Sequence, residues 1–319
     1  MKMNFSNMMS LISIITSTTL SLMTNNWLFM WILMEINLFM FIPLMSKNKI
    51  NDQSIKFFII QSLSSHLLIF SIMMMSILTN PSKSSSLVLI ALLIKIGMTP
   101  FHIWMPEIMS KMSWNECFLM NSPIKITPMI LINKMSSLKM LILPMILSLI
   151  SSSLTGLNQI NLKKLMAFSS IFNLSWMISS FFISKKISFT FMFIYSMLNF
   201  KIMKTFKKLN LMYMNQINYL KFNQKTKLNL ILLSISGFPP LMGFFPKWMI
   251  LKEMIMKSNL ISSIMILTSM VSMFMYLQIN SFSFTNSSFK KKNLKTNKLI
   301  SFKLINLMMI PIIIMSWMN

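Results

Sequence analysis

The sequence predicts an all-α membrane protein that crosses the bilayer many times. Three observations carry this. Of 319 residues, 55% are hydrophobic and only 11% are charged, against about 25% charged in a soluble domain. The apolar residues gather in windows of about 20, the length that crosses hydrocarbon. The basic residues, all of them lysine, fall mostly between those windows.

Taken in order, the first span covers about Phe5–Met23 and is rich in Ser and Thr, which back-bond to helix carbonyls. The second, about Trp27–Met45, carries Glu35 at its centre. The third covers about Phe57–Leu78 and ends at the turn Asn80–Pro81. The fourth, about Ser86–Met105, contains Lys95, then Gly97 and Pro100, so its helix should break there. A polar patch from Pro106 to Glu116 follows. The fifth, about Cys117–Ile132, holds Lys125 between Pro123 and Pro128.

The sixth covers about Leu138–Leu154, the seventh Leu165–Ile183 and the eighth Ile187–Met203, followed by a basic loop from Lys204 to Lys227. The ninth, about Leu228–Leu251, contains SGFPPLMGFFPKW, where Gly237, Pro239, Pro240, Gly243 and Pro246 precede Lys247. It is the second discontinuous helix. The tenth is about Leu260–Ile279 and the eleventh about Leu299–Trp317. With the N-terminus on the inner (matrix) side, nineteen lysines fall on that side and seven on the other, the bias that orients polytopic proteins.

The net charge of +25 would point to nucleic acid in a soluble chain. Here it fits topology and anionic phospholipid, cardiolipin included, and no nucleic-acid partner is expected. One cysteine and two separated histidines leave no set for haem, iron–sulfur or thiolate metal ligation. There is no P-loop or GxGxxG. A redox or ATP-driven step therefore has no home in this chain, and energy for transport must come from a partner.

The chemistry rests on charges at membrane depth. A lysine at the centre of a spanning helix costs about 2.5–3.5 kcal/mol on insertion scales, so a chain that keeps one usually uses it. Lys95 and Lys247 each adjoin a helix break, where freed backbone groups line watery cavities. A lysine held away from bulk water can release and regain a proton. Glu35 is either an inert carboxyl, a structural ion pair, or the partner of such a lysine. His102, just past Pro100, is a relay candidate or a packing residue. Lys201, close to a span end, reads as snorkelling to headgroups. His66 reads as structural, Glu107 and Glu116 as surface-loop residues, and Trp and Tyr as interfacial anchors.

Three stretches carry a resemblance: LLIKIGMTPFHIWMPE (92–107), GLNQINLKKLMAFSSI (156–171) and SGFPPLMGFFPKW (236–248). In this order they closely resemble the subunit 2 family of mitochondrial NADH:ubiquinone oxidoreductase, respiratory complex I. The resemblance implies one antiporter-like, proton-translocating domain over residues 1–319. It implies two inverted five-helix repeats, about 5–154 and 165–280, each with one broken helix, and a final helix at about 299–317. Glu35, Lys95, Lys125 and Lys247 match the family's proton-path residues. Lys201 departs from its pattern. NADH, flavin, iron–sulfur clusters and ubiquinone would belong to other subunits, and the partners would be neighbouring membrane-arm subunits.

The abundance of Met (40), with Ile, Asn, Lys and Phe, and only four glycines indicates an AT-rich mitochondrial gene, resembling insect mitochondrial genomes. That implies the inner mitochondrial membrane. Two other classes share the architecture. A stand-alone cation/proton antiporter would run alone in native electrophoresis. A structural spacer would tolerate neutral residues at Lys95 and Lys125.

Overall fold

A computed structural model of the protein describes residues 5–46, 51–77, 81–135, 138–239 and 241–285. The expected eleventh span, the lysine tract before it, and Pro240 lie outside the described residues.

The described chain is helical throughout, apart from one antiparallel bridge between Asn161 and Tyr213. The helices are α1 (Phe5–Met23), α2 (Trp27–Ser46), α3 (Asn51–Ile77), α4 (Pro81–Ile96), α5 (Trp104–Lys111), α6 (Trp114–Asn121) and α7 (Pro123–Asn133), then α8 (Ile142–Leu157), α9 (Leu162–Phe181), α10 (Lys185–Lys208), α11 (Phe222–Ser236), α12 (Phe244–Lys257) and α13 (Asn259–Thr285). Short 3-10 turns at Leu138–Leu141 and Met214–Tyr219 lead into α8 and α11.

Several expected spans are cut into pieces. The fourth stops at Ile96 instead of reaching Met105 and resumes as α5. Gly97, at φ +73°, ends α4: the amides of Met98 and Gly97 reach back to the carbonyls of Leu93 and Ile94. That is the left-handed closing turn that glycine permits. The fifth is two helices, because Pro123 opens α7 and turns the preceding Ser122 out of helical geometry. The ninth is α11 and α12, parted at Gly237, φ +84°. The basic loop of 204–227 is largely ordered, holding the end of α10, a 3-10 turn and the start of α11.

By length and composition, five helical segments suffice to cross a membrane: 5–23, 27–46, 52–75, 139–157 and 259–279. The pieces beside the breaks are individually too short, at 8 to 16 residues. α9 and α10 are long enough but rich in polar residues. Large apolar side chains on α1, α3, α8 and α13 face outward, among them Ile12, Phe70, Leu143 and Leu267, as lipid requires.

α9 is the axis of the bundle. Every residue of it except Lys164 is buried, and it packs against α5, α6, α8, α10 and α12. A helix enclosed on all sides must satisfy its own polar groups. Its serines do so by donating to carbonyls one turn back: Ser169 to Met166 (2.8 Å), Ser170 to Ala167 (2.7 Å) and Ser179 to Trp176 (2.7 Å).

Candidate functional site

Lys95 sits in the last turn of α4. Its Nζ lies 3.3 Å from Oε1 of Glu35 on α2, with side-chain exposures of 4% and 16%. The helix end leaves the Lys95 carbonyl without an intrahelical partner, and Gln61 Nε2 of α3 donates to it at 3.1 Å. Past the break, the Thr99 hydroxyl donates to the Pro144 carbonyl at 3.0 Å, tying the loop to α8.

Lys125, on α7, is buried to 6% exposure. Its Nζ lies 3.3 Å from Ser170 Oγ on α9 and 3.2 Å from Met105 Sδ on α5. A salt bridge to it is absent among the described residues.

Lys247 follows the second break, on α12, whereas Lys95 precedes the first. It reaches back to donate to the Ser236 carbonyl at 2.9 Å, closing the end of α11. Its ammonium lies over Phe172 and Trp176 of α9, 5.3 and 5.6 Å from the ring centres, the geometry of cation–π attraction.

Each lysine borders its own small cavity. Lys95 lines one of about 20 Å³ with Asn37, Gln61 and Thr127. Lys125 lines another of about 20 Å³ with Asn121, Ser122 and Tyr195. Lys247 lines one of about 10 Å³ with Ser153, Ser169, Asn173 and Tyr276. A single water needs about 10–15 Å³ of such space and two to four polar partners, and these walls supply them. The cavities are related through shared helices: α7 carries Thr127 in the first and Lys125 in the second, and α9 lines the second and third through different residues.

The structure thus pairs Glu35 with Lys95 and sets Lys125 and Lys247 each against α9. His102 is half-buried between α4 and α5 and is absent from the three cavity linings. Lys201 is partly buried in α10. Glu116 is not a surface-loop residue: it is buried in α6, where its carboxylate accepts the Ser113 amide at 2.9 Å and caps the helix. Glu107 is exposed, but on α5. Tyr195, Tyr276 and Trp176 are core residues, not interfacial anchors.

Gln61, Ser170, Tyr195 and Tyr276 escaped the sequence reading, because one polar atom on an apolar helix gives no periodic signal. At the end of the bundle where α7 closes, Lys134 donates to the Thr24 carbonyl. Burial and the neighbouring Lys185 hold its ammonium below the ordinary lysine value.

An all-helical membrane bundle with amines buried at helix breaks defines an antiporter-like transmembrane protein. The family model described as NADH:quinone oxidoreductase/Mrp antiporter, TM, matches residues 24–274. NADH-ubiquinone oxidoreductase chain 2 of Anopheles gambiae is 38% identical over 261 residues, 78% of this chain and 76% of that one. The Locusta migratoria protein of the same name is 36% identical over 264 residues, 78% and 77% of the two chains. The chain belongs to the NADH-ubiquinone oxidoreductase chain 2 family. Its fold is similar to a chain of respiratory complex I from Thermus thermophilus, TM-score 0.80 at 19% identity, covering 88% of this chain and 71% of that one. It is also similar to a chain of the archaeal membrane-bound sulfane sulfur reductase, TM-score 0.79 at 15% identity, covering 97% and 72%.

Proposed function

We propose that this chain translocates protons across the inner mitochondrial membrane as a membrane-arm subunit of complex I, through Glu35, Lys95, Lys125 and Lys247. Electron transfer from NADH to ubiquinone, with its flavin and iron–sulfur clusters, takes place in other subunits and supplies the energy. The observation that carries this reading is the placement of three buried lysines, each on its own water-sized cavity with a few polar side chains in an otherwise apolar wall.

The Glu35–Lys95 pair is the switch. When a charge shift in the neighbouring arm weakens or restores that pair, the grip of Lys95 on its proton changes. One pKa unit corresponds to about 1.4 kcal/mol, so one ion pair made or broken away from solvent is sufficient. The proton then moves through water to Lys125 and on to Lys247, which faces the next subunit. His102, outside the three cavity linings, is a side relay rather than a member of this path.

The helices form ten spans within the described residues, with α4–α5, α6–α7 and α11–α12 each counted as one. The spans group as two inverted repeats, about 5–154 and 165–280. Support comes from the two breaks, after Gly97 and after Gly237, since α4 and α11 end in the same left-handed glycine turn. The N-terminus faces the matrix. The lysine bias of nineteen against seven supports that orientation, while Lys134 lying near Lys185 and Lys257 donating to the Phe182 carbonyl support the span count, which puts these lysines on one side together. Phospholipid, cardiolipin included, covers the outward apolar faces.

Glu35→Gln in the assembled complex is the test. It keeps shape and hydrogen bonding but removes the charge. Proton pumping driven by NADH should fall several-fold with assembly intact; pumping at the unsubstituted rate would refute the role.

A further inference from the structure

Between Lys125 and Lys247 stands α9, a buried helix with no charged side chain at that level. Two adjacent serines carry hydroxyls around it. Ser170 faces α7, 3.3 Å from the Lys125 ammonium. Ser169 lines the cavity of Lys247. Two tyrosines from other helices stand beside them. Tyr195 of α10 lines the Lys125 cavity and lies next to Ser170. Tyr276 of α13 lines the Lys247 cavity and lies next to Ser169, within electrostatic range of Tyr195.

Both rings are almost wholly enclosed, at 6% and 2% exposure. The Tyr195 hydroxyl lies beside Asn199 and Ser170 and the Tyr276 hydroxyl beside Ser169, yet neither closes a hydrogen bond of good geometry with them. A buried hydroxyl left open in this way carries a desolvation cost that a packed core avoids. Phenylalanine would fill the same space without it.

The geometry points to Tyr195 and Tyr276 as the proton bridge between Lys125 and Lys247, with Ser170 and Ser169 at its two ends. This rests on the proton path proposed above. The transfer is balanced and needs no oxidant or reductant. The Lys125 ammonium gives a proton to the first hydroxyl. Each hydroxyl passes its own proton on as it accepts one, through the water that each small cavity has room for. The neutral Lys247 amine takes the last. The hydroxyls then rotate back for the next transfer. The rings of Phe172 and Trp176 lie beside the Lys247 ammonium on α9.

Tyr195→Phe and Tyr276→Phe each delete one oxygen and keep the ring. In the assembled complex, in sealed membranes, NADH-driven pumping and its solvent deuterium isotope effect are measured together. Lys125→Gln serves as the control. We expect each Phe variant to assemble and to slow the transfer step by roughly a hundredfold, with a changed isotope effect. Pumping and isotope effect like those of the unsubstituted complex would overturn the bridge. So would failure of the Phe variants to assemble, which would make the hydroxyls structural. If Lys125→Gln abolishes pumping while the Phe variants do not, the bridge alone falls. If Lys125→Gln also pumps normally, the underlying proton path falls.

Discussion

Gly237 shows how a single residue couples fold to chemistry. At φ +84° it closes α11, and the Lys247 side chain folds over it to reach the Ser236 carbonyl. An added Cβ would stand 3.0 Å from Lys247 Cδ and 3.2 Å from Nζ. Gly237→Ala therefore adds about 1–2 kcal/mol of left-handed strain and pushes the amine off its acceptor. The expected outcome is a complex that assembles at a lower inactivation temperature and pumps more slowly. Gly243→Ala is harsher, since its Cβ would lie 1.8 Å from the Ser234 carbonyl oxygen, backbone that cannot turn aside. Native electrophoresis should show little or no assembled complex; normal assembly would contradict the close approach.

Which residues were legible in the sequence follows from their cost. Glu35, Lys95, Lys125 and Lys247 stand out because a charge in an apolar run is expensive wherever it points. A tyrosine costs little at an interface and more in a core, and the sequence does not distinguish the two. Tyr195 and Tyr276 were therefore read as anchors. Glu116 was misread for a similar reason, because its acidity masked its position three residues after Ser113, which is the cap spacing.

At the scale of elements, the helix breaks were written in glycine and proline. Their exact pieces were not. Gly97 ends α4 through backbone hydrogen bonds that no periodicity reveals, and Ser122 divides α6 from α7 because a proline follows it. The central position of α9 was hidden as well. Its serines lower its hydropathy, yet burial on all sides makes it the axis, since each back-bonded hydroxyl is already satisfied.

α9 starts at Asn161, whose side chain accepts the Lys163 amide at 3.0 Å. Asn161→Ala removes that cap and should cost about 1 kcal/mol. Thermal inactivation of the assembled complex should shift down by a few degrees with pumping at low temperature retained. An unshifted curve would show that packing alone fixes the start of the helix.

For the whole molecule, membrane class and family are secure from composition and from three dispersed stretches of sequence. What the sequence left out is adjacency. Glu35 and Lys95 are 60 residues apart and meet at 3.3 Å; Lys125 and Ser170 are 45 apart and meet at the same distance.

The central claim is that buried amines, each beside a small cavity with room for water, carry the pumped protons. The most direct measurement is the proton flux per NADH oxidised by the assembled complex carrying Lys125→Gln, in sealed membranes and beside the unsubstituted complex. The account predicts a several-fold fall in pumping with the complex intact. Pumping at the full rate through the glutamine variant would contradict it.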